Sequence, residues 1–474
     1  MKWDGKMKGK IFCKNVLLLV LICCGLCVCL CACGSEQKQS LVISEGMKQT
    51  GSLNLLQTGT YTDRGITQEV EQSFASEDKL CVIQKRKSYY EVWLDYQSGG
   101  TSQIGKAYAK ALLQAVPDYE KVLEPYLFEN INLALGKSNG NYEGLTERMQ
   151  ALFASLPEKY QQELDSFAKE ISKGSEGFVQ DEKLSYEEAI LMQLVPDALR
   201  GTACSALSLW GSKTASGKNV ICRNLEWLLG SEKQLCSYHA VVHFKNHDKS
   251  FTSINILGLS GILTAINDDG VFAAILDVGS DGQKFEYEGK KCYTFELRQA
   301  LEEFSSAKET GQYMVEQSAY FTYSHNIALA DNEVSLCAED AVLSLQESGK
   351  GYSVLRDEKT PLFEGLEWKV QDSLFVLNSF AAQNNLDNFS DNESNLVRLY
   401  KFNNLFKDKQ QLTLAQIKDL LTSEVVDQNN VCNIHSKNVF HTVIVDYESG
   451  DIQIAFTDNN GVRDKPEFIS IGHY

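Results

Sequence analysis

Residues 201–227 read GTACSALSLWGSKTASGKNVICRNLEW, and this stretch predicts a β-hairpin. Its apolar runs lie on either side of a turn at Thr214-Ala-Ser-Gly217. Cys204 begins the hairpin, and Arg223 and Glu226 lie at its far end, where the chain folds back beside its origin. The hairpin therefore brings a thiol, a guanidinium and a carboxylate together.

The region before this hairpin is mainly helical in its pattern. Apolar residues recur at helical spacing in 145–156 and again in 160–171, and one strand is predicted at 89–96. Ser185-Tyr-Glu-Glu188 is a capping box that begins a further helix, which we expect Pro196 to end or kink.

The region after Cys204 alternates with period two, as strands do. Strands are predicted at 238–244, 252–256 and 271–276, and a hairpin over 440–456 turns at Ser449-Gly450. Helices are predicted at 295–304, from a cap at Ser394, and from the capping box Thr413-Leu-Ala-Gln416. Strands in two blocks with helices between them predict a layered arrangement.

Length, charge and cysteine usage exclude several classes of protein. The 474 residues are too many for one ordinary core and predict two or three structural units. A formal charge of −18 opposes binding to phosphate backbones, so nucleic acid is not an expected partner. The cysteines after residue 33 show no CxxC spacing, which favours neither a zinc ribbon nor a disulfide framework.

The first 33 residues have the pattern of an export signal. Five lysines within the first 14 residues precede an apolar run at 16–31, which is shorter than the roughly 20 residues that span a bilayer. The run ends in a segment resembling a bacterial lipobox, with Cys33 as the residue that would be diacylated. An uncleaved N-terminal helix is the alternative. We expect a signal peptide at 1–32 and a tether at 33–60 that holds the protein on the extracellular face of the bacterial membrane.

Residues 201–227 resemble the isopenicillin N acyltransferase-like autoproteolytic cysteine hydrolases, a group related to choloylglycine hydrolases and acid ceramidases. Their shared pattern is a Cys followed by Ser or Thr, a hairpin with a Thr-x-x-Gly turn, and then Arg-Asn-x-acid-aromatic. The resemblance covers about residues 90 to 460. Further matches follow in the family's order at 96–105, 261–270, 325–339, 375–380 and 394–398.

The resemblance implies an α+β protein, an αββα sandwich of the N-terminal nucleophile hydrolase type. A mainly helical region at 61–203 would precede a catalytic domain at 204–474. It also implies a precursor that cuts its own Ala203–Cys204 bond, with the smaller piece remaining associated. The family's activities are amide hydrolysis and acyl transfer, and we expect this protein to work without a cofactor.

Cys204 is the predicted nucleophile, because a thiolate attacks a carbonyl well once its proton is removed. Cleavage before Cys204 would free an α-amine with a pKa near ~7.7, which can accept the thiol proton and return it to the leaving group. A cysteine on a hairpin is more often a small buried apolar residue, and Cys222 is interpreted in that way.

Four other residues are candidates for the site, each with a structural alternative. Arg223 would favour the thiolate, and Glu226 would accept from the new ammonium or fix Arg223. The structural alternative for these two residues is a surface ion pair between them. Asn378 would donate to the oxyanion or simply end a strand. The resemblance places Asp277 where relatives often carry Asn near the oxyanion or substrate, and a charge there is unfavourable unless Asp277 is turned away or binds a cationic substrate group. Arg398 would support the site and contact substrate, or form a structural ion pair.

Histidines recur at His239, His243 and His247, a spacing that would suggest a metal face only on a helix. Their segment alternates like a strand, so no metal site is predicted.

The sequence then predicts an extracellular, lipid-anchored hydrolase of linear amides with an apolar acyl group, or an acyltransferase. A phospholipase B-like ester hydrolase and a non-catalytic acyl-binding surface lipoprotein are the alternatives. Substrate identity and oligomeric state stay open.

Overall fold

The computed structural model describes residues 66–135, 143–199, 204–278, 286–389, 392–423, 433–458 and 466–474. The predicted leader, the tether, the lipidation site Cys33 and the cleavage residue Ala203 lie outside the described residues. No helix in the described ranges is long and apolar enough to span a membrane.

The described residues form sixteen strands in two sheets. In chain order they are β1 (Val70–Ala75), β2 (Cys81–Arg86), β3 (Tyr90–Asp95), β4 (Cys204–Leu209), β5 (Val220–Glu226), β6 (His239–Lys245), β7 (Phe251–Ile256), β8 (Thr264–Asn267), β9 (Phe272–Asp277), β10 (His325–Ala330), β11 (Ser335–Asp340), β12 (Val354–Arg356), β13 (Ser373–Val376), β14 (Val439–Asp446), β15 (Asp451–Phe456) and β16 (Ile469–His473).

Ten α-helices accompany these strands in the described ranges. They are α1 (Thr101–Ala115), α2 (Tyr119–Leu135), α3 (Glu143–Ser155), α4 (Glu158–Ser172), α5 (Tyr186–Leu199), α6 (Tyr293–Glu303), α7 (Ala307–Gln317), α8 (Leu343–Glu347), α9 (Glu393–Phe406) and α10 (Leu414–Leu421).

The larger sheet has the strand order β1-β2-β3-β6-β7-β8-β9-β10-β11-β12, and the smaller has the order β13-β4-β5-β14-β15-β16. Neighbouring strands are antiparallel except β3 and β6, which are parallel. The region before Cys204 therefore supplies three strands to the larger sheet in addition to its five helices. Side chains from both regions share one hydrophobic core.

The alternation of side chains on β4 and β5 explains the layers. Ala206 and Ile221 belong to the core between the two sheets, whereas Leu207 and Cys222 belong to a second core shared with α9 and α10. On the larger sheet, Asn326 of β10 reaches the chain after β13, whereas Leu329, on the other face of β10, lies against Gly311 of α7. The order is helix, sheet, sheet, helix, so the predicted αββα sandwich is confirmed.

Local sequence signals succeed where they depend on short-range chemistry. Ser185 and Glu188 exchange hydrogen bonds at the start of α5, and Thr413 caps α10 in the predicted capping box. The β14–β15 hairpin turns at Gly450, whose φ of 76° is a conformation that glycine adopts readily. The cysteine at position 222 is buried against α9 and α10, as its apolar interpretation predicts.

Two predictions at helix ends need correction. Pro196, expected to end or kink its helix, does not end it, since α5 includes Pro196 and continues to Leu199. The cap of α9 is Asn392, whose side chain accepts from the backbone of Asn395, and Ser394 lies within the first turn.

Candidate active site

Cys204 lies at the first position of β4 and faces the space between the two sheets. Only 3% of its surface is exposed. Its Sγ is 3.6 Å from Nη2 of Arg223 and 4.0 Å from the carbonyl oxygen of Glu226. The predicted proximity of the thiol and the guanidinium is therefore present.

Arg223 stands between the two sheets because odd-numbered residues of β5 face the larger sheet. Its Nη2 also donates to the carbonyl of Ile275 on β9 at 2.8 Å. Burial raises the pKa of the Cys204 thiol, and the Arg223 charge works in the opposite direction. The guanidinium thus offsets part of the cost that burial imposes on the thiolate.

The backbone of Cys204 is held by two side chains. Its N–H donates to Oδ1 of Asn378 at 2.6 Å, and its carbonyl accepts from Nη1 of Arg398 at 2.9 Å. Nη2 of Arg398 also donates to Oδ1 of Asn378 at 3.2 Å. These bonds fix the position from which a freed α-amine at Cys204 would act.

Glu226 pairs with Arg398, at 3.5 Å between Oε2 and Nη1, and accepts from Oγ of Ser436 at 3.1 Å. Residues three apart in a strand face opposite sides of the sheet, so Glu226 is directed to α9 while Arg223 faces the other sheet. Burial raises the pKa of Glu226 to about 7, partly offset by the Arg398 charge. The carboxylate thus reaches Cys204 through Arg398.

Asn378 lies two residues beyond the end of β13 and links the two sheets. Its Nδ2 donates to the backbone carbonyl of Asp277 at 2.6 Å, a contact that uses one of the two amide hydrogens. This contact is made by the backbone of Asp277 and does not involve its side-chain charge.

Three further polar residues contact the side chains or the backbone around Cys204, and the sequence did not predict a role for them. Asn395 lies one helical turn before Arg398 and accepts from its Nη2 at 2.5 Å. Asn326 donates to the backbone on both sides of Asn378, and Ser436 donates to Glu226. Asn326 and Asn395 lie in segments that carry the family resemblance, so their position was a usable signal; Ser436 had none.

His239 and His243 have different hydrogen-bond partners. His239 and His243 lie on the strand β6. His239 Nε2 contacts the carbonyl of Thr457 at 2.7 Å, and His243 lies between Thr252 and Glu91. Burial lowers the pKa of His239 to about 4, which keeps it neutral at physiological pH. Across the described ranges, no group of three or more His, Cys, Asp or Glu side chains is arranged to hold a metal ion.

The chain overlaps in part with several solved structures. No protein-family model matches it, and no curated protein matches it. It is similar to an N-acylethanolamine-hydrolyzing acid amidase ortholog of Caenorhabditis elegans, with 14% identity over 51% of this chain and 92% of that chain and a TM-score of 0.36. A variant of conjugated bile acid hydrolase from Clostridium perfringens has 14% identity over 57% of this chain and 97% of that chain, with a TM-score of 0.33. Penicillin V acylase from Agrobacterium tumefaciens has 10% identity over 53% of this chain and 83% of that chain, with a TM-score of 0.31.

Proposed function

We propose that this protein is a hydrolase of linear amides whose nucleophile is Cys204, exposed as a new N-terminus by self-cleavage. The observation that carries the proposal is the convergence of three side chains on Cys204, one of which is paired with a fourth. Arg223 contacts the thiol, Asn378 and Arg398 contact the backbone of Cys204, and Glu226 pairs with Arg398. A buried cysteine that only fills space has no need of such partners.

Maturation begins with attack of the Cys204 thiol on the carbonyl of Ala203. The new carbon–sulfur bond replaces the peptide carbon–nitrogen bond, and the thiol proton passes to the nitrogen of Cys204. Water then hydrolyses the thioester, which releases the carboxylate of Ala203 and restores the thiol. The product has a free α-amine beside a free thiol, so one residue supplies both base and nucleophile.

Turnover uses the same groups. The amine takes the proton of Sγ, and the thiolate attacks the amide carbonyl of the substrate, with Arg223 stabilising the thiolate beforehand. The amide nitrogen of Asn378 donates to the oxyanion of the tetrahedral intermediate. Collapse returns the proton to the leaving amine and leaves an acyl-thioester, which water hydrolyses. An amine in place of water would make the protein an acyltransferase.

The substrate class and the location are part of the same proposal. We infer a small amide with an apolar acyl group, processed on the extracellular face of a bacterial membrane to which Cys33 anchors the protein. Support for the location comes from the basic and apolar pattern of residues 1–33 alone.

A panel of N-acyl amides and their matching esters, assayed with and without a chelator, tests the proposal. We expect amides with apolar acyl groups to be cleaved at rates that the chelator does not change, and Cys204→Ala to be inactive. Cleavage of lipid esters alone would favour the phospholipase B-like alternative. Binding of acyl ligands without turnover by an uncut chain would favour the non-catalytic lipoprotein.

A further inference from the structure

Asn326 holds the backbone on both sides of Asn378. It lies on β10 of the larger sheet and is fully buried. Its Nδ2 donates to the carbonyl of Leu377 at 2.9 Å and to the carbonyl of Ser379 at 2.9 Å. Both hydrogens of one side-chain amide are therefore used on the carbonyls of the two residues that flank Asn378.

These two carbonyls lie beyond the regular part of the sheet. The pairing of β13 with β4 ends at Val376 opposite Ala206, and beyond it Leu377 and Ser379 take part only in an isolated β-bridge. Asn326 donates to both of their carbonyls from the opposite sheet. A buried carbonyl without a partner would be costly, and the chain would shift to find one.

The backbone position of Asn378 determines where its side-chain amide lies, because both ends of that amide are hydrogen-bonded. Its Oδ1 accepts from the backbone of Cys204 and its Nδ2 donates to Asp277, each at 2.6 Å. A displacement of the backbone at Leu377 or Ser379 moves this amide relative to the reacting atoms. Misplacement of a catalytic group by about 1 Å can cost 10²-fold in rate.

We propose that Asn326 is a positioning residue, which holds the amide of Asn378 in register with Cys204 by clamping the carbonyls of Leu377 and Ser379. The inference rests on the proposed function for its kinetic consequence, since Asn378 is the proposed oxyanion donor. The hydrogen bonds of Asn326 go to these two carbonyls, so its effect on Cys204 is exerted through Asn378.

A double-mutant cycle between Asn326 and Asn378 provides the kinetic test. We expect Asn326→Ala to lower kcat by about 10- to 100-fold with KM changed less than about threefold, because positioning acts on the reacting atoms and not on the bulk of the substrate. In the Asn378→Ala background, the same substitution should lower kcat by less than about threefold. Equal losses in both backgrounds, or an unchanged kcat in the otherwise wild-type chain, would overturn the inference.

Asn267 offers a matched control in the same sheet. Its Nδ2 also donates to two backbone carbonyls, of Leu301 at 3.1 Å and Phe304 at 2.9 Å, and it is fully buried. Its Oδ1 accepts two further backbone bonds, so Asn267→Ala is the larger disturbance of the fold. We expect this variant to lose stability and to keep its kcat. Should Asn326→Ala not fold, Asn326→Ser, whose hydroxyl retains one donor, enters the same cycle.

A structural readout separates this inference from the proposed function. In the Cys204→Ala background, a crystal structure of Asn326→Ala should show the distance from the backbone nitrogen at position 204 to Oδ1 of Asn378 lengthened from 2.6 Å to beyond 3.5 Å, the limit of hydrogen-bond reach. An unmoved Asn378 would overturn the positioning role whatever the enzyme does. An inactive wild-type protein in which Asn378 moves as expected would overturn the proposed function alone.

Discussion

The backbone nitrogen of Cys204 donates to Oδ1 of Asn378 at 2.6 Å. In an uncut chain this nitrogen belongs to a peptide group, and after cleavage it would belong to an amine. Both forms carry a hydrogen that the same oxygen can accept. The acceptor for the proposed α-amine is therefore in place before the amine exists, and Arg398 holds that acceptor from the other side.

Maturation should depend on Cys204 and not on Cys222, a buried cysteine on the neighbouring strand of the same hairpin. We expect wild-type protein to yield two associated pieces, ending at Ala203 and beginning at Cys204. Cys204→Ala should remain one inactive chain, whereas Cys222→Ala should still cut. N-terminal sequencing and intact mass decide this, and a fully active enzyme with an unbroken Ala203–Cys204 bond would defeat the mechanism.

Removal of the Arg223 charge should make the Cys204 thiol harder to ionise. The guanidinium lies 3.6 Å from Sγ, and an opposite charge at this range lowers a pKa by about 1 to 3 units. Arg223→Leu should shift the pH midpoint of Cys204 alkylation upward by that amount, and Arg223→Lys should shift it less. Peptide mass spectrometry after treatment with a small alkylating reagent across pH measures it. The same midpoint in wild type and Arg223→Leu would exclude the electrostatic role.

The buried carboxyl of Glu226 should make stability fall as pH rises. Burial raises its pKa to about 7 in the folded chain, from the 4.5 of an exposed glutamate. The folded state then binds the proton more tightly, so the contribution is complete below about pH 4.5 and is lost as pH rises through about 7. At 1.36 kcal/mol per unit, the change is at most about 3 kcal/mol.

Denaturant unfolding of wild type and Glu226→Gln at pH 4.5 to 8 provides the measurement. The glutamine cannot titrate, so the stability of wild type relative to the variant should decrease over this range. A difference that stays constant with pH would mean that Glu226 has an ordinary pKa.

Removing one partner of the Arg398–Glu226 pair should destabilise the fold more than removing the charge of both. Arg398→Leu leaves a buried carboxyl without its cation, which typically costs about 3–5 kcal/mol. Adding Glu226→Gln to Arg398→Leu should recover part of that loss, because no unpaired charge remains. Urea unfolding of both single variants and the double variant measures the coupling. Strictly additive losses would contradict a direct pairing.

Anchoring should depend on Cys33. The Leu30-Cys-Ala-Cys33 segment predicts acylation at that thiol, and two acyl chains anchor a protein stably. Cys33→Ser should release the protein to the medium or leave an uncleaved precursor, as judged by membrane fractionation and mass. A variant that stays in the membrane fraction at the mature size would show that the lipoprotein prediction is wrong.

The sequence by itself determined the features that depend on neighbours in the chain. Period-two alternation and the turn at Thr214 to Gly217 predict the hairpin that brings Cys204 to Arg223, only 19 residues away. Capping boxes at Ser185 and Thr413 depend on residues three apart. The family resemblance extended this reading to the αββα architecture.

Only the tertiary structure decided which distant groups meet. Arg398 of α9 reaches Cys204 across 194 residues of the chain, and Asn326 of the larger sheet reaches Leu377, just beyond the end of β13, across 51. The alternation of side chains also turned Glu226 away from Arg223 and toward Arg398, a result that spacing on a linear sequence does not reveal. The physical reason is that burying a polar group without a partner is costly, and packing between the layers decides which partner is within reach.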